Sequence, residues 1–178
     1  NIIDGGANND IIFGFGGSGN ILVGGAGDDT LMGLLGGDVI YGGTVTYNAT
    51  RDGITAHDNS GSDWVDYSYI TDLKEVNVDL RATNVATATI PVAYAKAEIS
   101  GTPATFDALI GITNAKGTKN DDTLRGDDSF DVVNSLFGYK GDDSFIVSKG
   151  KDYIDGGDGF NTMDYSSVNM TYGGNRVI

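Results

Sequence analysis

Apolar residues recur in two stretches of this chain at a nine-residue beat, which matches neither a helix face nor one long strand. In the first stretch they are Ile3, Ile12, Leu22, Leu31 and Ile40; in the second, Leu124, Val133, Phe145, Ile154 and Met163. Two residues before each stands Asp or Asn: Asn1, Asp10, Asn20, Asp29 and Asp38, then Asp122, Asp131, Asp143, Asp152 and Asn161. Their spacings are 9, 10, 9 and 9 in the first block and 9, 12, 9 and 9 in the second, with the extra residues assigned near 134–137. Gly24-Gly25-Ala26-Gly27-Asp28-Asp29 and Gly33-Leu34-Leu35-Gly36-Gly37-Asp38 show the frame: a Gly-rich hexamer closed by an acid, then a triplet with an aliphatic eighth residue.

Physically, this period predicts a turn followed by a very short strand. Gly, Asn and Asp tolerate left-handed backbone, so six of them reverse the chain cheaply. The next three residues run extended, the eighth pointing inward and its neighbours outward. Two units make a coil of about 18 residues, and coils stack as parallel strands. Alternate repeats then share an edge: Asp10 over Asp29, Asn20 over Asp38, Asp122 with Asp143 and Asn161, and Asp131 over Asp152.

The frame lapses after Ile40 and returns at Asp63 and Val65. Asp66-Tyr67-Ser68 and Asp164-Tyr165-Ser166 then recur 98 residues apart, marking a larger module. The expected organisation is a first block at 1–43, an insertion plus one repeat at 44–68, a long-coil β segment at 69–116, a second block at 117–166, and the truncated start of the next long-coil segment at 167–178. Val76-Asn77-Val78-Asp79-Leu80 alternates as a strand does, Pro91 suggests an edge or bend, and the middle segment reads as longer coils on the same stack. No stretch keeps a helical period. The chain begins in mid-pattern and reads as a fragment of something longer.

Composition sharpens the picture. The chain holds 23 Asp but only 2 Glu, with 28 Gly among 178 residues and a formal net charge of −14. Such a surface repels nucleic acid. With no Cys and one His (His57), disulfides, thiolate or imidazole metal sites and Cys or His catalysis are excluded or disfavoured. No apolar run is long enough to span a membrane. Carboxylates stacked at strand spacing repel by several kcal/mol, on the order of 4, per pair unless a cation lies between them. Two Asp oxygens plus turn carbonyls form the oxygen set that Ca²⁺ prefers; Mg²⁺ demands more regular geometry, and Zn²⁺ lacks its N and S ligands.

Gly24-Gly25-Ala26-Gly27-Asp28-Asp29-Thr30-Leu31 resembles the nonapeptide of the RTX (repeats-in-toxin) family, and repeats of this kind cover about half the chain. The resemblance implies an all-β, right-handed parallel β-roll (a β-solenoid) that binds several Ca²⁺ ions, folds on them and leaves the cell through type I secretion machinery. It also implies a ligand set in which position-two and position-four carbonyls (Gly6, Asn8, Gly25, Gly27, Gly36, Asn120, Gly141, Gly150 and Gly159) join Asp10, Asp29, Asp38, Asp63, Asp122, Asp131, Asp143 and Asp152. Asn20 and Asn161, neutral at position six, should bind more weakly. Leu34-Leu35 departs from the family's glycines.

Other motifs yield to this reading. Gly14-Phe15-Gly16-Gly17-Ser18-Gly19 fits a dinucleotide fingerprint but no helix follows. Asp58-Asn59-Ser60-Gly61-Ser62-Asp63 misplaces the glycine of an EF-hand loop. Asp121-Asp122 and Asp142-Asp143 read as metal ligands with lowered pKa values rather than as a glycosidase pair. Trp64 and Tyr153 at outward seventh positions could stack on a glycan, although packing of Trp64 beneath the 44–57 loop or the following segment is favoured, with His57 as a loop residue there. The glycosylation sequons at Asn48 and Asn169 mean little in a protein that, by this resemblance, looks bacterial. The expected function is a non-enzymatic, calcium-folded module of a secreted or cell-surface bacterial protein of adhesin, surface or biofilm type. The alternatives are an accessory module of a secreted protease, lipase or alginate epimerase, or the repeat region of a toxin.

Overall fold

Three-residue strands set off by glycine turns recur through both repeat blocks. The computed structural model describes all residues except 16, 18, 49–53, 59–60, 72–73, 85, 87–93, 101–104, 169–170, 173–174 and 177–178. Every regular element among them is a strand. In chain order these are β1 (Ile2–Ala7), β2 (Ile11–Phe13), β3 (Ile21–Ala26), β4 (Thr30–Met32), β5 (Val39–Tyr41), β6 (Thr44–Tyr47), β7 (Ile54–Asp58), β8 (Trp64–Asp66), β9 (Val76–Asn84) and β10 (Tyr94–Ile99). There follow β11 (Thr105–Ile110), β12 (Asn114–Lys116), β13 (Thr123–Arg125), β14 (Val133–Phe137), β15 (Ser144–Ile146), β16 (Lys151–Asp155), β17 (Thr162–Asp164), β18 (Thr171–Tyr172) and β19 (Asn175–Arg176).

The repeats alternate between two sheets. The larger has the order β1-β3-β5-β11-β10-β9-β13-β15-β17 and the smaller β16-β14-β12-β8-β4-β2. All pairings are parallel except β11-β10 and β10-β9. Eighth-position residues of both sheets meet in one core: Ile12, Leu22, Leu31, Ile40, Val65, Leu124 and Phe145 are buried, and Ile3 and Ile154 pack against them half-buried. Met163, on the outermost strand of the larger sheet, is 50% exposed.

One expected register is wrong. Val133 is 56% exposed, while Leu136 is fully buried and sits opposite Ala115 and Ile154. Asn134 lies opposite Asp152, and Asp131 is exposed outside the column. The extra residues of the twelve-residue interval therefore precede β14. Asp131-Val132-Val133 imitates the repeat triplet locally, but only Asn134-Ser135-Leu136 satisfies the ladders on both sides. Leu136→Ala should cost about 2–5 kcal/mol in denaturant unfolding with calcium present, and Val133→Ala less than about 0.5 kcal/mol; the opposite order would contradict this register.

The middle segment also departs from expectation. It does not add longer coils but crosses the larger sheet as an antiparallel meander, β9-β10-β11, joining β5 on one side to β13 on the other. Alternation still sets its inward face, with Val76, Val78, Leu80, Ala97, Ile99 and Leu109 buried in the shared core. Pro91 lies outside the described residues. Within the 44–58 insertion β6 and β7 pair antiparallel as the two arms of a hairpin, which places His57 in a strand rather than a loop. Val45 and Tyr47 of β6 pack on Val23, Tyr41, Tyr94, Ala108 and Ile110, a second apolar cluster. The Tyr47 hydroxyl donates to Asp4 Oδ2 at 2.8 Å.

Candidate metal centre

Where each repeat's turn meets its strand, the position-six side chain turns toward the neighbouring repeat. On the smaller sheet the Asp10 N–H donates to Asp29 Oδ1 at 2.8 Å, and the Asp29 N–H to Asp63 Oδ1 at 2.9 Å. On the larger sheet the Asn20 N–H donates to Asp38 Oδ1 at 2.7 Å, and the Asp38 N–H to Asp107 Oδ1 at 2.8 Å. Beyond the meander the Asp122 N–H reaches Asp143 Oδ1 at 2.8 Å, and the Asp143 N–H reaches Asn161 Oδ1 at 3.0 Å. The stacking of Asp10 with Asp29, Asn20 with Asp38, and Asp122 with Asp143 and Asn161 is thus present; that of Asp131 with Asp152 is replaced by Asn134 with Asp152.

In Asp29, Asp38, Asp63 and Asp143 these bonds satisfy Oδ1 and leave Oδ2 buried, whereas Asp122 has both oxygens held, by the Val76 N–H and by Thr118. Oδ2 of Asp10, Asp29, Asp38, Asp63 and Asp143, and Oδ1 of Asp152, have no hydrogen-bond partner. A buried oxygen left so costs about 1–3 kcal/mol, more if charged. The space it occupies exists because position one is glycine: a Cβ on Gly5 would stand 2.6 Å from Asp10 Oδ2 and 2.7 Å from the Gly24 carbonyl oxygen, and one on Gly42 2.5 Å from Asp63 Oδ2 and 2.6 Å from that of Gly111.

The turn carbonyls line up between repeats as well. The Gly6 carbonyl oxygen points at Gly25, Asn8 at Gly27, Gly27 at Gly61, Asn120 at Gly141, and Gly141 at Gly159. Gly25, Gly27, Gly141 and Gly159 take φ values of 108°, 133°, 109° and 120°, backbone that an L side chain resists. In the irregular turn before β14, the Ser129 carbonyl faces Gly150 instead.

Unpartnered carboxylate oxygens and aligned carbonyls in the same turns make an all-oxygen donor set, which fits a hard divalent cation and Ca²⁺ best. Among the described residues no three or more Asp, Glu, His or Cys side chains gather as a metal cluster, so backbone carbonyls must complete each shell. Without a cation the pKa values of Asp122 and Asp143 are raised, where the sequence suggested lowering. Burial pushes Asp63 and Asp122 up to about 6, against the lowering effect of backbone hydrogen bonds, and raises Asp29, Asp38 and Asp143 too.

A family description of the RTX calcium-binding nonapeptide repeat matches residues 15–44 and 131–163, in four copies. The chain carries RTX calcium-binding repeats. RTX nonapeptides bind Ca²⁺, and several repeats hold several ions. These repeats form a structural calcium-binding domain rather than a catalytic one, and they are typical of secreted extracellular bacterial proteins. The turns at 5–10 and 117–122 fall outside the matched stretches yet share the RTX turn's hydrogen bonding. No curated protein matches the chain by sequence. Among the described residues no helix is long and apolar enough to cross a membrane.

Besides Asn134, one more member of the columns escaped sequence reasoning. Asp107 continues the line Asn20–Asp38 although no glycine hexamer precedes it, and the buried Tyr67 hydroxyl caps its Oδ2 at 2.9 Å. The available signal was Asp107-Ala108-Leu109, which repeats the triplet Asp29-Thr30-Leu31 without its turn. Trp64 lies on the smaller sheet, not under the hairpin: its ring centroid is 5.4 Å from that of Phe137, with Lys116 Nζ 5.1 Å away.

Proposed function

We propose that this chain is a calcium-folded structural module, a right-handed parallel β-roll interrupted by an antiparallel meander, from a type I-secreted extracellular bacterial protein of adhesin, surface or biofilm kind. The observation that carries it is the set of buried carboxylate oxygens without partners beside aligned turn carbonyls. Asp10, Asp29, Asp38, Asp63, Asp122, Asp143 and Asp152 would supply the carboxylates, with Gly6, Asn8, Gly27, Asn120 and Gly141 among the carbonyl donors. Asp131 is dropped from this set, and Asn134 stands in its column.

The larger module supports a surface protein over an accessory module of a secreted enzyme. Its two junctions fold alike: the Ser68 N–H donates to Asp66 Oδ1 at 2.9 Å and the Ser166 N–H to Asp164 Oδ1 at 2.8 Å. The Ile70 and Val168 N–H groups then close matching turns on the Tyr67 and Tyr165 carbonyls. A repeated block and junction suit a long stacked array. Any catalytic activity would belong to other sequence.

Calcium binding and folding are one equilibrium in this reading. Far-UV circular dichroism should show disordered chain in chelator and β structure in millimolar calcium. Identical spectra in the two conditions would sink the reading.

A further inference from the structure

Both Glu residues of the chain, Glu75 and Glu98, lie on one groove across the outer face of the meander. Its lining includes Glu75, Asn77, Lys96, Glu98, Phe106 and Thr123, around a volume of about 550 Å³. A shallower extension of about 290 Å³ shares Asn77, Lys96 and Glu98 and runs on to Asp79 and Asn84. Everywhere else acid comes as Asp, whose short side chain serves the turns. Glu75 and Glu98 serve no turn of a repeat; Glu98 is exposed on β10 and Glu75 is exposed immediately before β9.

We infer that this groove binds a linear, uncharged oligosaccharide. A sugar ring has a C–H face and a rim of hydroxyls. Phe106, 42% exposed, offers the apolar floor for the face, with Lys96 Nζ 4.6 Å from its centroid. Glu75 and Glu98 accept from hydroxyls, Asn77 both donates and accepts, and Lys96 and Thr123 donate. Lys96 is already paired with Glu98, so the groove holds no spare positive charge for a uronate or sulfated chain. The net acidity of the groove, with Glu75 and Asp121 beside that pair, repels such polymers further. The volume is that of a small-molecule site, and the extension fits a chain rather than a single ring. Trp64 is less suited, since it is half-buried and packs against the Phe137 ring.

The inference goes beyond calcium-dependent folding and is tested on calcium-loaded chain whose circular dichroism confirms β structure, so its failure is distinct from failure of the folding reading. Heteronuclear NMR is recorded while β-1,4-glucan, α-1,4-glucan, β-1,3-glucan and β-1,4-mannan hexamers, a polygalacturonate fragment and an oligolysine peptide are added in turn to millimolar levels. At least one neutral hexamer should shift the amides of Lys96, Phe106 and Thr123. Phe106→Ala and Glu75→Gln should each weaken binding about tenfold or more, roughly 1.4 kcal/mol, and Tyr153→Ala on the opposite sheet should leave it unchanged. The site is overturned if no neutral hexamer binds, if only polygalacturonate or oligolysine binds, or if the shifts centre on Trp64 and Tyr153.

Discussion

Asp29→Ala should raise the calcium concentration at the folding midpoint at least about tenfold, equivalent to about 1.4 kcal/mol, while Asn20→Ala should move it severalfold less. Asp29 acts at three points at once. Its Oδ1 holds the Asp10 N–H, its own N–H reaches Asp63 Oδ1, and its Oδ2 is one of the buried oxygens without a partner. Alanine removes a ligand charge and leaves the Asp10 N–H without its acceptor. Asn20 brings no charge: its amide oxygen accepts from Asn1 at 3.0 Å, and its backbone N–H, which alanine keeps, serves Asp38. Asp29→Asn separates the two effects by restoring an acceptor without the charge. It should recover part of the loss in the ion-free state and little of the loss in calcium affinity. Equal midpoints for the Asp29 and Asn20 alanine variants would rule out the stacked-carboxylate assignment. Calcium titration followed by circular dichroism reads all three.

How far the sequence carried this picture depends on how local each determinant is. The position-six and position-eight residues around Asp29, Asp38 and Asp143 are set within nine residues by glycine turns, and they lie where the pattern put them. The choice between Asp131 and Asn134 is not local. Both precede an apolar residue by two, and the ladders with β12 and β16 decide, bringing Leu136 into the core. The direction of β9-β10-β11 was illegible for a similar reason. Alternation in Val76-Asn77-Val78 shows which face is buried but not which way the neighbour runs. Asp107 lacked a turn signature, and only pairing of Ala108 with Val39 and Leu109 with Ile40 brings it into the column.

The antiparallel meander changes what the columns mean. It parts Asn20–Asp38–Asp107 from Asp122–Asp143–Asn161 on the larger sheet, and in the gap backbone and hydroxyl groups take the role of a next repeat. The Val76 N–H reaches Asp122 Oδ1 at 2.8 Å, and Tyr67 meets Asp107. On the smaller sheet the line from Asp10 through Asp29 and Asp63 passes on at Thr113 to Asn134 and Asp152. The two repeat stretches are thus coupled through a segment that holds its own ends with neutral donors, and the core runs unbroken through all three.

Acid should partly replace calcium. Burial lifts Asp107 from 3.8 to about 7, and Asp63 and Asp122 to about 6. These folded-state values exceed the unfolded value near 3.9, so the ion-free fold holds more protons than the unfolded chain across the interval between them. Its stability is therefore greatest at low pH and is lost as pH rises from about 4 through the folded values near 6 and 7. For Asp107 alone the cost of ionisation is on the order of 4 kcal/mol. Asp79 runs the other way: burial raises its pKa, but the Arg81 guanidinium outweighs burial and leaves it lowered. Its contribution is present above the unfolded pKa and disappears as pH falls through its lowered value, which sets the acid limit of the window. In chelator, β-type circular dichroism should accordingly be larger at pH 5 than at pH 8, measured in dilute solution because the sequence isoelectric point is about 4.1. In saturating calcium the difference should vanish, since the ion stabilises the ionised carboxylates that neutral pH otherwise leaves unpaired. A chelated chain whose β content rises with pH, or stays flat, would show that these carboxyls are not buried together before calcium binds.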